Sequence, residues 1–169
     1  RLSYLNKEYT NTIAICKEAL TKFPNTEKIL NSLAESYTSN NQDDEALQIY
    51  KDLALKTGKE SYYIAAGKLL LKTGKTDDAI SLYTQAQNTN VAGAELNAAL
   101  TEAFIAKEKY ADAIMQIEKS ITVEPKTAKY FYLLGLAHSK NRNKKVAIES
   151  FNKAIELDSM QADYYLALG

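Results

Sequence analysis

The sequence predicts an all-α fold, a solenoid of stacked antiparallel helix pairs, and three observations lead there. The first is a ruler of alanines: Ala46, Ala79, Ala113 and Ala147 recur at intervals of 33, 34 and 34 residues. Each stands in a similar phrase (DEALQIY, DDAISLY, ADAIMQI, KVAIESF), with an apolar or aromatic residue four places on. The second is a recurring aromatic-then-small phrase, SYYIAAG at 61–67, KYFYLLG at 129–135 and DYYLALG at 163–169, the last two glycines lying 34 residues apart. The third is composition. Only 2 Pro and 6 Gly, with no Trp, in 169 residues argue against a turn-rich β protein and for helices. A unit repeating at this interval cannot bury its own apolar face, so units must stack.

Each unit divides into two helices. In the best-formed one, Phe131, Leu134 and His138 step by three and four. After a polar break the same stepping resumes with Ala147, Ile148, Phe151, Ala154 and Ile155. Two amphipathic helices per unit follow from that periodicity. The breaks between them read SNNQDD, KTGKTDD, KEKYAD and KNRNKK. Asp43, Asp44, Glu45, Asp77 and Asp78 fall in the first turn of a second helix, where carboxylates meet the positive end of the dipole and free amide donors. Pro24 and Pro125 are expected just after helices, where a missing N–H costs little.

The residues now carry a family resemblance. The unit 128–161 runs Phe131, Leu134, Gly135, His138, Ala147, Phe151, Ala154, and resembles a tetratricopeptide repeat, W-x2-L-G-x2-Y, then A-x3-F, then P. It has His138 in place of tyrosine and Ser159 in place of proline. The unit 60–93 gives Tyr63, Ala66, Gly67, Leu70, Ala79, Tyr83, Ala86. The unit 94–127 gives Leu100, Phe104, Ala113, Ile117, Pro125, with Thr101 replacing the glycine and Ser120 the second alanine. The unit 27–59 gives Leu30, Leu33, Ala34, Tyr37, Ala46, Tyr50 and is one residue short. Before it, 1–26 matches a partial repeat through Tyr9, Cys16, Ala19 and Pro24; after the fourth unit, 162–169 matches the start of a further one through Tyr165, Leu168 and Gly169. The resemblance covers essentially the whole chain and implies a right-handed superhelix. The chain is therefore expected to be a single array and a stretch of a longer one. Small residues at Gly67, Gly135, Ala79, Ala113 and Ala147 should let helix backbones approach closely. Tyr50, Tyr83, Phe104 and Phe151 should fill the gaps between pairs.

Composition narrows the function. Acidic and basic residues balance at 21 each, so no global field draws the chain to nucleic acid or to an anionic membrane. No apolar run approaches the ~18 residues of a membrane span, so direct membrane insertion is not expected. A soluble protein is, whether cytoplasmic or periplasmic. The single cysteine, Cys16, excludes an internal disulfide. With one His and one Cys, several layers apart in a solenoid, most nucleophile–base and metal-ligand schemes are removed. His138 reads as a packing substitute for tyrosine and Cys16 as a small buried filler. Asp43–Asp44 and Asp77–Asp78 lack the alternation and glycine of a calcium loop, and no glycine-rich phosphate loop is present. No catalytic residue, metal or cofactor is expected, and the chain does not read as an enzyme.

What remains is a surface. In proteins of the family that this chain resembles, the first helix of each repeat lines a concave groove that holds a peptide or helix of a partner protein. The second, fifth, ninth and twelfth positions are exposed there. Carried over, they are Lys28, Asn31, Glu35 and Thr38; Ser61, Ile64, Lys68 and Leu71; Glu95, Ala98, Glu102 and Ile105; and Lys129, Tyr132, Leu136 and Ser139. The partner-binding candidates are Asn31, Glu35, Ile64, Lys68, Leu71, Glu102, Ile105, Lys129, Tyr132 and Leu136, a mixed groove with an apolar strip. A subclass clamps chaperone-tail carboxylates with Lys and Asn, then Asn, then Lys and Arg side chains from three successive repeats. Here the matching places hold Asn31, Glu35, Ala65, Glu95 and Ala99, and Glu35 and Glu102 would repel a carboxylate, so that clamp is rejected. Glu35, Lys68 and Glu102 share the ninth position and alternate in sign, which reads equally as a recognition stripe or as a ladder of internal ion pairs.

Three functions follow as expectations: an adaptor holding a partner's peptide or helix, the substrate-recruiting region of a larger enzyme or assembly factor, and RNA reading. Balanced charge and a non-basic groove argue against the third. Apolar terminal faces around Tyr164, Tyr165 and Leu168 are expected to support self-association.

Overall fold

A computed structural model describes residues 2–89, 91 and 93–168. Ten helices, and no strand, occur among the described residues: α1 Leu2–Lys22, α2 Glu27–Ser39, α3 Asp43–Thr57, α4 Glu60–Lys72, α5 Thr76–Asn88, α6 Ala94–Ala106, α7 Tyr110–Val123, α8 Ala128–Lys140, α9 Lys144–Leu157 and α10 Ala162–Leu166. Two compact units result, residues 1–73 (α1–α4) and residues 74–169 (α5–α10). Within each, every helix packs on the next in sequence, and α6 also touches α8. No described helix is long and apolar enough to cross a membrane.

The alanine ruler marks the tightest contacts. Ala46, Ala79 and Ala113 are fully buried and Ala147 is 3% exposed. Among the large residues, Tyr83, Phe151 and Tyr50 are buried, while Phe104 is half-buried and Ile117 takes the sealed place in that repeat. Gly135 shows why small residues are needed. A Cβ there would stand 2.5 Å from Phe151 Cδ1 and 3.0 Å from Cζ, far inside van der Waals contact.

The departures from the repeat pattern have local reasons. Thr101 is fully buried, and its Oγ1 donates to the Asn97 carbonyl at 2.8 Å, the bond of a buried helical threonine. Ser120 Oγ donates to the Ala94 carbonyl at 2.7 Å, tying the end of α7 to the start of α6. In the same unit, Gln87 Nε2 donates to Asn97 Oδ1 (2.6 Å) and Gln116 Oε1 (3.0 Å), joining α5, α6 and α7 through amides.

The turns inside the repeats share one backbone device. Asn41, Gly74, Glu108 and Arg142 are all left-handed, with φ of 57°, 75°, 60° and 64°. They keep the intervals of the alanines. In three of them the next residue's N–H reaches back five residues: Gln42 to Tyr37 O (2.8 Å), Lys109 to Phe104 O (2.9 Å) and Asn143 to His138 O (2.8 Å). This is the Schellman closure of a helix end. No side-chain N-cap bond forms at α3, α5, α7 or α9. The acidic first turns do other work as well. Asp43 pairs with Lys72 at 2.8 Å, and Asp77 with Lys107 at 2.6 Å. In each case the end of a first helix is fastened to the start of the preceding repeat's second helix.

Candidate functional site

In the first unit the first helices are α2 and α4. Asn31 Nδ2 donates to Glu35 Oε1 at 2.8 Å, one helical turn on. Glu35 is exposed, and its charge raises the Tyr50 and Tyr62 phenols, in each case behind the larger effect of burial. Lys68 is exposed and makes no salt bridge among the described residues. Glu35 and Lys68, one repeat apart, are therefore not joined as rungs of a ladder. Leu71 is half-buried. Ile64, expected at an exposed place, is 7% exposed, so packing has taken it.

Below these residues α2 and α4 are locked together. Glu27 accepts from Lys59 Nζ at 2.5 Å and from the Tyr62 hydroxyl at 2.7 Å. Its carboxyl is held below the usual range by the Lys59 hydrogen bond first and then by Tyr62. Burial, followed by the Glu27 bond and charge, pushes the Tyr62 phenol up to about 12. Tyr62 also stacks on Tyr50, with ring centroids 6.3 Å apart. Beside this joint a recess of about 310 Å3 is lined by Thr38, Tyr50, Ala65, Lys68, Leu69 and Lys72. Of these, only Lys68 stood among the candidates. The others escaped because the recess belongs to three helices, and no single-helix pattern contains it.

In the second unit the first helices with candidates are α6 and α8. Glu102 and Lys129 form an ion pair at 2.9 Å, with Lys129 44% and Glu102 33% exposed. Ile105 is half-buried. Tyr132 is half-buried between two rings, 6.0 Å from Phe151 and 5.0 Å from Tyr164. Leu136 rests against the core cluster of Ala94, Ala98, Ile117, Tyr130 and Leu133. These two side chains hold the unit together as well as facing its first-helix side. Tyr164 is itself buried and Leu168 half-buried; Met160 (87%), Tyr165 (49%) and Leu166 (77%) are exposed apolar residues close to it in the chain.

Cys16 is buried in the first unit, and burial raises its thiol. His138 is in the second unit, half-buried, with its Nδ1 buried and without a partner among the described residues. No group of three or more His, Cys, Asp or Glu suited to a metal occurs among the described residues.

Tetratricopeptide-repeat profiles match residues 4–69, 64–122 and 128–159. The chain belongs to the tetratricopeptide repeat family. That is a family of helical repeat scaffolds for protein interaction. The fold is shared with solved structures of low identity. One is MamA, at TM-score 0.77 and 21% identity over 94% of this chain and 93% of that one. Another is YrrB, described as a TPR protein with an unusual peptide-binding site, at TM-score 0.73 and 20% identity over 95% and 84%. A curated relative, the BBSome complex member BBS4 homolog of Drosophila melanogaster, is 26% identical over 97% of this chain and 34% of its own length. The chain thus spans about a third of that relative.

Proposed function

We propose that this tetratricopeptide repeat chain is a protein-interaction adaptor that holds a peptide or helix of a partner protein along the faces of its first helices. The observation that carries this is what those faces leave uncommitted. Lys68 is exposed without a counter-ion among the described residues, Leu71 and Ile105 are only half-buried, and the Glu102–Lys129 pair stands partly in solvent. Charged groups beside partly covered apolar ones suit a polar segment with apolar anchors. A chain with balanced charge has no overall positive field to draw a phosphate backbone, which favours a protein segment over nucleic acid. The profiles that match are those of interaction scaffolds, and the chain is read as contributing binding rather than catalysis. A second reading keeps the same faces and makes them the recruiting region of a larger enzyme or assembly factor. It is favoured by the likeness to a relative about three times as long that is named as a member of a complex.

The test is affinity capture followed by mass spectrometry, using variants that spare packing. Lys68→Glu alters an exposed side chain. The swap Glu102→Lys with Lys129→Glu keeps an ion pair while reversing its direction. A partner held by the native chain and lost by either variant supports the adaptor reading. The same partners held by all three overturn it.

A further inference from the structure

We infer that the recess of the first unit is an anchor site for one apolar side chain of a partner segment that carries a carboxylate next to that side chain, with Lys68 as the receiving cation. The inference rests on the adaptor reading and specifies its ligand.

The argument starts from shape. A recess of about 310 Å3 stands at the small end of ligand cavities. That is room for one large side chain. Its floor and walls are Ala65, Leu69, the Tyr50 ring and Thr38, which can hold an aliphatic or aromatic group but offer it no charge. Ala65 matters because it is the small residue of the set: the half-buried methyl of α4 leaves the space open.

Charge then selects what accompanies the anchor. The two ionisable ammonium groups lining the recess, Lys68 and Lys72, stand one turn apart on α4. Lys72 is already neutralised by Asp43 at 2.8 Å. Lys68 has no such partner among the described residues, so a ligand carboxylate would meet one uncompensated cation. Glu35 does not line the recess, but its carboxylate, held by Asn31, acts on the Tyr50 ring that does, so a second negative charge beside that ring would be repelled. The recess suits an apolar residue with an acidic neighbour at Lys68 and a neutral or basic one towards Glu35. This differs from the chaperone-tail clamp, whose matching places hold no cation here.

The experiment pans a displayed library of random dodecapeptides against the full chain, then measures the enriched peptides by fluorescence anisotropy on four variants. Lys68→Glu removes the cation. Ala65→Met fills the recess. Glu35→Gln removes the opposing charge. The Glu102→Lys with Lys129→Glu swap reports the second unit. The expected result is enrichment of an apolar residue adjoining Asp or Glu. Its Kd should rise tenfold or more with Lys68→Glu and with Ala65→Met, fall at least twofold with Glu35→Gln, and stay within twofold for the swap. Tightening by Glu35→Gln is a gain that misfolding does not produce. Enriched peptides that ignore Lys68→Glu and Ala65→Met but weaken with the swap overturn this inference and leave the adaptor reading standing. If no peptide is enriched, or none responds to any variant, both fall.

Discussion

Replacing Gly135 by alanine puts the smallest side chain where two helices touch, and the structure fixes the sign of the result. Alanine in a helix interior is intrinsically better than glycine by about 0.5–1 kcal/mol. Against that, the new Cβ would lie 2.5 Å from Phe151 Cδ1 and 3.0 Å from Cζ, whereas carbon atoms rest at roughly 3.5–4.0 Å. The ring must retreat by about 1 Å. Phe151 is 2% exposed and leans on Tyr132, which leans on Tyr164, so although it borders a recess of about 230 Å3, moving the ring disturbs that stack. Overpacking of this kind costs about 1–3 kcal/mol. The net expectation for Gly135→Ala is a loss of about 1 kcal/mol, or ~2–4 °C in Tm. Gly135→Val, larger and β-branched, should lose more. Circular dichroism melts would measure both, with a cycle against Phe151→Leu to isolate the contact. Without the ring, alanine should become neutral or stabilising, giving a coupling of about 1 kcal/mol or more. A Tm that rises with Gly135→Ala in the native background, or effects that simply add, would refute the reasoning.

Two further expectations concern the polar joints. The Tyr62 phenol ionises at about 12 in the folded chain against an ordinary 10.0, so the fold binds its proton more tightly. Its contribution is complete below pH 10 and lost as pH rises towards 12. Glu27 is shifted the other way and contributes above its ordinary value, losing that as pH falls. Melts between pH 9 and 12.5 should show a shallower fall in Tm for Tyr62→Phe than for the native chain; equal slopes would refute the assignment. Ser120→Ala restores the family's residue yet deletes the buried bond to the Ala94 carbonyl. It should cost about 0.5–1.5 kcal/mol by urea unfolding, and a gain in stability would show the hydroxyl to be idle.

The helices were legible because their signals are short-range. First helices begin at Glu27, Glu60, Ala94 and Ala128, just ahead of the aromatic phrases at 61 and 129, and the ruler alanines are buried. The joints were not legible. Lys72 meets Asp43 across 29 residues and Lys107 meets Asp77 across 30, and neither distance belongs to any periodicity of one helix. The acidic first turns looked like dipole partners alone until the neighbouring repeat was in place. Site positions carried over from a family average suffered likewise. Such an average does not know that Ile64 is covered, or that Tyr132 is wedged between Phe151 and Tyr164. Glu108 and Arg142 gave no warning of left-handed backbone, because the closure there is made by main-chain amides and an ordinary side chain can sit over it.

That last feature bears on how such a gene can grow. In three of the four turns the bend is closed by peptide groups, and Asn41, Glu108 and Arg142 show that different side chains can stand at the joint. A crossover between misaligned copies that adds or removes 33 or 34 codons keeps every left-handed turn and every small contact residue in phase, wherever in the unit it falls. Length becomes the cheap variable of this architecture, and the exposed residues of each copy can then drift independently.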